Sequence, residues 1–286
     1  MARPRRVALA ALNIAMHAPH SAEGYVHLLQ KAFRLHRIVR LGKLHGIMLG
    51  LIHRPKHHGD VLMLTGEIYR FVQLDPSEQW FNSQTREPAT DDDVGQINIP
   101  SHLLPHLQII PFAFNAKTHH LWYVKADKQN TLSPSTATKF MTILLNEVVH
   151  KEELPEVSVT PIPESTSVDA VLGLPGLEYL KIELVRPNPD AADSAEARWL
   201  RKLERQKTTK AKLELHRQRN SHIEPDAETR DMAIAASRNG LVYGRGRTAD
   251  GLPVEDSTVN RPMVQHVLVD TDIETVGRVL ERAATD

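Results

Sequence analysis

The sequence predicts an α+β fold in which helices pack on a central mixed or antiparallel sheet, with a long basic helix and a β-hairpin added toward the C-terminus. The middle of the chain follows the order strand, strand, helix, strand, short helix, strand, which is typical of an α+β sandwich. The first two of these strands flank a polar turn and so predict an antiparallel hairpin. The 286 residues are 41% hydrophobic, enough for a substantial core.

The N-terminal part is predicted to begin with a buried strand. Three arginines precede an apolar run at residues 7–16, a pattern that also resembles a signal peptide; the predicted strand covers residues 7–14. Asn13 interrupts the run and no small-residue cleavage site precedes His17, so we favour the strand over export. Ser21 is suited to cap a helix reaching about residue 36, because apolar residues recur at helical spacing. Further strands are predicted at residues 38–41, 45–52 and 61–72.

The middle of the chain predicts one compact unit. Its hairpin pairs residues 107–115 with 121–126, and Ser133 followed by Pro134 begins a helix to about residue 150. A strand at 157–162, a short helix at 167–172 and a strand at 177–185 follow. The predicted division is an N-terminal α+β region with a basic segment at 1–105, a central sandwich at 106–190, and a helical and hairpin region at 191–286.

The C-terminal region predicts a long surface helix. Asp193 with Glu196 three residues later resembles a helix start, and the helix is expected to reach about residue 219. Its apolar stripe, centred on Trp199 and Leu203, is thin, so we expect it to pack on a second copy in a homodimer. The rest is predicted as a helix at 225–238, a hairpin of 241–247 with 252–257 around Asp250-Gly251, a strand at 264–269 and a helix at 272–283.

Charge is segregated along the chain although Lys plus Arg and Asp plus Glu balance at 35 each. No acidic residue lies between Gly24 and Gly59, and the block from Arg198 to Arg219 holds only two glutamates. Two basic blocks predict a surface that binds polyanions, and aligned cations bind DNA phosphates without reading sequence. The predicted phosphate contacts are Arg34, Arg37, Arg40, Lys43, Arg198, Arg201, Lys202, Arg205, Lys207, Lys210, Lys212, Arg245 and Arg247.

No motif predicts a cofactor or a catalytic centre. The chain has no cysteine, which excludes thiolate metal sites and fits a cytoplasmic protein, and no run approaches the ~18 apolar residues of a membrane span. Gly-x-Ser-x-Gly and phosphate-binding glycine motifs are missing from the sequence. Adjacent histidines at residues 57–58 and 119–120 point to opposite faces of a strand, and histidines at a hairpin tip are expected to be exposed. A metal-dependent nuclease or phosphodiesterase built on His57, Asp60 and His119 is the alternative, if those groups converge.

Six short segments are spread along the chain: Ala11–Ile14, Gly66–Ile68, Trp80–Asn82, Leu132–Pro134, Leu177–Asn188 and Ile223–Asp226. Together they resemble the bacterial and prophage family called domain of unknown function 4747, which implies no particular activity. A fainter similarity in the order of segments from residue 111 to 187 is to the phage-exclusion protein RexA and the antiphage protein KwaB. That similarity implies double-stranded DNA binding, homodimerisation and a role in prophage or antiphage defence. A scaffold that binds a phage protein is a further alternative.

Overall fold

The computed structural model describes residues 4–16, 21–75, 77–100, 102–154, 156–187 and 194–285. These residues build two large antiparallel sheets, each with its own hydrophobic core, which confirms the α+β class. The strands are β1 (Arg5–Met16), β2 (Val39–Leu41), β3 (His45–Ile52), β4 (Lys56–His58), β5 (Val61–Val72), β6 (Phe81–Asn82), β7 (Glu87–Pro88), β8 (Gln108–Asn115), β9 (His120–Asp127), β10 (Asn130–Thr131), β11 (Val157–Pro161), β12 (Tyr179–Val185), β13 (Lys210–His216), β14 (Gly240–Arg247), β15 (Pro253–Ser257) and β16 (Gln265–Val269). The helices are α1 (Ala22–Arg34), α2 (Asp91–Gly95), α3 (Pro134–Glu152), α4 (Ser167–Leu172), α5 (Ser194–Arg205), α6 (Ala227–Arg238) and α7 (Val276–Thr285).

The first sheet is organised around β1. Its strand order is β11-β1-β9-β8-β5-β3-β2, with β16 also on β1, β10 on β9 and β4 on β5. β9 pairs with one edge of β1, while β11 and β16 share the other edge, β11 beside its C-terminal half and β16 beside its N-terminal half. Residues 7–16 are consequently buried, as predicted for a first strand of the core.

Helices cover the first sheet on both sides. The side chain of Ser21 caps α1 by accepting a hydrogen bond from the Gly24 amide at 3.0 Å, and the Tyr25 ring then packs 5.9 Å from that of Phe114 on β8. The next residue of β8, Asn115, donates to the carbonyl of Ala284 in α7 at 2.8 Å. Since neighbouring residues of a strand point to opposite faces, α1 and α7 lie on opposite sides of the sheet.

The second sheet has the order β13-β12-β14-β15 and is covered by helices on one side. Leu180 and Ile182 of β12 are fully buried there together with residues of α4, α5 and α6. Gly244 of β14 faces the same core, since a Cβ at this position would approach Val171 and Leu177. The other side of the sheet carries the alternate residues of each strand.

The predicted helix to residue 219 is wrong in extent. α5 ends at Arg205, the chain turns through Lys207 in the left-handed region at φ 54°, and β13 begins at Lys210. Leu213 and Leu215 of β13 pack on the second core at an alternating spacing that a helix would not produce. Asp193, the predicted cap, lies outside the described residues.

The apolar stripe of α5 has its burial partner within the chain. Trp199 and Leu203 belong to the second core, where Leu203 is fully buried. α5 packs against α6 on the helical side of the second sheet. The stripe therefore gives no reason to expect a second copy of the chain, and the argument from it to a homodimer fails.

The predicted division at residues 105 and 190 does not follow the two sheets. β1 and β5, from the predicted N-terminal region, pair with β9 and β8 of the predicted central unit. β12, predicted for that same unit, belongs to the second sheet. Near the C-terminus the chain returns to the first sheet through β16 and α7. No helix among the described residues is long and apolar enough to cross a membrane.

Candidate nucleic-acid interface

The uncovered side of the second sheet collects side chains from three segments that are distant in sequence. On β12, Tyr179 lies opposite His216 of β13 and Arg245 of β14. Lys181 lies opposite Glu214 and Tyr243, again one from each neighbouring strand. We name this surface the open face, and it comprises Tyr179, Lys181, Glu183, Lys210, Lys212, Glu214, His216, Tyr243, Arg245, Arg247 and Glu255.

The cations of the open face are exposed or half-buried, and most of them pair with carboxylates. The pairs are Lys181–Glu183 at 2.7 Å, Lys212–Glu214 at 2.6 Å, Lys210–Glu156 at 3.0 Å and Arg247–Glu178 at 3.1 Å. Solvated pairs of this kind contribute at most about 1 kcal/mol each, so a phosphate can replace the carboxylate at low cost. Arg245 differs, because no described carboxylate lies within 4 Å of its guanidinium, whose carbon is 5.8 Å from the centre of the Tyr179 ring.

Three aromatic rings form a cluster on the open face. The Tyr179 ring centre is 5.0 Å from that of His216 and 6.1 Å from that of Tyr243. The hydroxyl of Tyr243 donates to Oε2 of Glu255 at 2.6 Å, and this hydrogen bond raises the pKa of the tyrosine. Lys212, whose Nζ lies 2.6 Å from the carboxylate of Glu214, lowers the pKa of that carboxyl group. The hydroxyl of Tyr243 is therefore engaged, which restricts how its ring can turn.

The predicted phosphate contacts on α5 fall into two groups. Arg198 pairs with Asp231 at 2.5 Å and Lys202 with Glu228 at 2.7 Å, so α6 neutralises both cations. These pairs line a cleft of about 670 Å³ between α5 and α6 that carries both signs of charge. The second group is exposed and has no carboxylate within 4 Å in the described part of the chain; it consists of Arg201, Arg205 and Lys207.

The first basic block lies elsewhere. Arg34 ends α1, and Arg40 is on β2 at the edge of the first sheet. All four predicted phosphate contacts of this block are exposed: Arg34, Arg37, Arg40 and Lys43. Arg37 pairs with Glu147 at 3.0 Å and Lys43 with Glu78 at 3.2 Å. The structure thus separates the two blocks, and it gathers only Lys210 and Lys212 of the second block with Arg245 and Arg247 on the open face. The cations of α5 belong to the side of the sheet that the helices cover.

A buried polar network joins the two sheets. The amide of Asn13 on β1 donates to the carbonyl of Arg238 and to Oδ1 of Asn239, each at 3.0 Å, and Asn239 donates to Glu196 of α5 at 2.6 Å. These groups line a cavity of about 380 Å³, which we name the seam cavity. His120 lines it too, and burial, followed by the charge of Arg238, lowers its pKa to about 4.

Sequence reasoning missed the seam cavity, although one signal was available. Asn13 stands alone as a polar residue in an otherwise apolar run, and a buried polar residue needs a partner. The expectation that the hairpin histidines are exposed is wrong for His119, which is 1% exposed with its ring 4.4 Å from Tyr25. Helix α1 covers this end of the hairpin, a long-range contact that local pattern does not reveal.

The groups required for a metal-dependent nuclease are not brought together. His57 and His58 are exposed on β4, Asp60 forms an ion pair with Lys117, and His119 is buried beneath α1. Within the described ranges, no group of three or more metal-ligating side chains is close enough to hold an ion. The convergence on which this alternative depends is therefore not found there.

Comparison with known protein families identifies the family of the chain. A family model described as Domain of unknown function (DUF4747) matches residues 5–285, so both sheets and both cores lie within the match. A search of curated proteins found no match. The likeness to RexA and KwaB stays a prediction. The resemblance to the family is confirmed, and the chain belongs to the family Domain of unknown function (DUF4747).

Proposed function

We propose that the protein binds DNA without sequence preference, through phosphate contacts on the open face. One observation carries the proposal: strand register brings Lys212, Lys181 and Arg245 to the same side of one sheet. Neighbouring strands are about 4.8 Å apart, so these cations form a track across the sheet rather than an isolated charge. Such a track fits a polyanion.

The arrangement favours contacts with the backbone of DNA over reading of its bases. A broad sheet face cannot enter the major groove as a helix or two-stranded ribbon does, and that groove carries most of the sequence information. Lys and Arg contacts to phosphates supply affinity that is the same for every sequence. We propose a role in prophage or antiphage defence on the strength of the sequence similarities alone.

A salt series on unrelated DNA duplexes tests the proposal. The logarithm of the binding constant should fall linearly with the logarithm of salt concentration, by about 0.9 per phosphate contact, and equally for every duplex. Replacing Lys212→Gln together with Arg245→Gln should lower the slope by about 1.8 and weaken binding at least about tenfold at low salt. Fluorescence anisotropy with the full chain measures both quantities.

The matched control removes two exposed cations from the first sheet, Lys56→Gln with Lys128→Gln, and should leave slope and affinity unchanged. Equal losses of affinity in both double variants would mean that net charge, not the open face, determines binding. No binding at low salt would overturn the proposal and favour the scaffold that binds a phage protein. Strand cleavage that requires Mg²⁺ or Mn²⁺ would instead favour the nuclease.

A further inference from the structure

The aromatic cluster of the open face carries an inference about which form of nucleic acid binds, and it rests on the proposed function. Tyr179 and Tyr243 lie on β12 and β14, the two central strands of the second sheet, and His216 lies beside them on β13. We infer that the open face binds single-stranded nucleic acid, with bases stacked on these rings and phosphates held by the cations beside them.

The ring positions suit stacking with a flexible ligand. The Tyr179 ring contacts both the His216 ring and the Tyr243 ring, and all three stand on the side of the sheet that no described helix covers. Tyr179 and Tyr243 are half-buried and His216 is exposed. A hydrogen bond to Glu255 holds the hydroxyl of Tyr243, so this ring is ordered before a ligand arrives. A pre-ordered ring loses less conformational entropy on binding.

The charges suit the same ligand. Lys212 and Lys181 lie on the strands that carry His216 and Tyr179, and Arg245 lies opposite Tyr179 on β14. Alternating rings and cations are the usual combination on surfaces that bind single strands, where bases stack and the backbone follows positive charge. In a duplex the base faces are already stacked on each other, so these rings would contribute nothing to binding.

Cross-strand aromatic pairs also stabilise a sheet without any ligand, at about 0.2–1 kcal/mol per pair, so the test must separate stability from binding. Single-stranded DNA and RNA share the bases and phosphates that this site would contact. Oligonucleotides of about 12 nucleotides match the site sizes of comparable surfaces. Binding of each oligonucleotide sequence to the full-length chain is measured in three forms: single-stranded DNA, single-stranded RNA and the corresponding DNA duplex.

The decisive variants are Tyr179→Leu and Tyr243→Leu, which keep an apolar side chain on the strand and remove the ring. Each should weaken single-strand binding about tenfold, within the range measured for one stacked base, and should leave duplex binding unchanged. Tyr179→Phe and Tyr243→Phe keep the ring and should bind like the wild type. Thermal melting of every variant confirms that the protein remains folded.

Tyr69→Leu is the matched control, because Tyr69 is also half-buried on a strand and its hydroxyl also donates to a glutamate, Glu67, at 3.0 Å. It lies on the first sheet and should not affect binding. Single-strand binding that falls with both leucine variants and not with the control supports the inference. Tighter binding of RNA than DNA would identify RNA as the ligand through its 2′-hydroxyls, and the reverse would identify DNA.

Two outcomes would overturn the inference, and they are distinguishable. Binding of the duplex at least as tightly as the single strand, unaffected by either leucine variant, would remove the inference while leaving phosphate binding in place. Binding of neither form at low salt would remove the proposed function as well. Loss of folding in both leucine variants moves the test to Tyr179→Ile and Tyr243→Ile, which remove the ring, keep an apolar side chain suited to a strand, and should weaken single-strand binding by the same factor.

Discussion

At the residue scale, His120 makes one contribution to stability depend on pH. Its pKa in the folded protein is about 4 because burial in the seam cavity, and then Arg238, disfavour the charged ring, whereas the ordinary value is 6.5. Between those values the unfolded chain binds a proton that the folded chain does not. The contribution of this group to stability is therefore complete above pH 6.5 and is lost as pH falls toward 4.

We expect the free energy of unfolding to fall by at most roughly 3 kcal/mol across that window through this group. His120→Gln cannot take up the proton and should show a flatter dependence on pH in urea unfolding. The exposed His57 provides the control, since His57→Gln should follow the wild type. Parallel curves for the wild type and His120→Gln would show that the histidine is not held neutral.

Single residues also show where sequence reasoning succeeds. Ser21 and Ser133 were predicted to begin helices, and both side chains accept hydrogen bonds from the first turn, at 3.0 and 3.2 Å. Such caps involve residues three positions apart and are visible in the sequence. The ion pairs of Arg198 and Lys202 with α6 join residues far apart in sequence, so they could not be predicted locally.

At the element scale, β13 shows why the sequence predicts a helix where the structure has a strand. Lysine, glutamate, leucine and alanine all have good helix propensity, and β13 consists mainly of these residues. Its hydrogen bonds to β12 along the whole strand, from Val185 with Lys210 to Tyr179 with His216, override that preference. The open face exists because of this strand, so the error in secondary structure also concealed the candidate interface.

The β14 strand depends on a close approach of backbone that only glycine permits. A Cβ at Gly246 would overlap the carbonyl oxygen of Pro175, and the amide of Arg247 donates to that same oxygen at 2.9 Å. We expect Gly246→Ala to lower the free energy of unfolding by about 2 kcal/mol or more, because the loop or the strand must move.

Gly277 in α7 is the matched control for this substitution. A Cβ there would meet only Thr275 Oγ1 at 3.8 Å, an ordinary contact, so Gly277→Ala should raise the free energy of unfolding by about 0.5–1 kcal/mol. Urea unfolding of both variants measures the difference. Equal stability of Gly246→Ala and the wild type would show that the loop does not lie against β14.

At the scale of the whole molecule, an early strand and a late strand of the chain pair in the first sheet. β16 pairs with β1, Arg5 opposite Val269, so strands from the two ends of the described chain are neighbours in the first sheet. The second core is formed entirely by residues between Val168 and Val242. The sequence predicts most of the individual elements, but pairing between distant strands depends on packing that no local pattern records.

This topology predicts that a destabilising substitution in one core leaves the other core folded. Leu280 of α7 is 1% exposed in the first core, so Leu280→Ala should lower the free energy of unfolding by about 2–5 kcal/mol. Leu268 is 72% exposed, so the control Leu268→Ala should change the free energy of unfolding by less than about 0.5 kcal/mol. Hydrogen exchange should become faster in β8 and β9, which α7 contacts, while β12 and β13 keep their protection. Equal loss of protection in both sheets would mean that the seam network of Asn13 and Asn239 couples the cores into one cooperative unit.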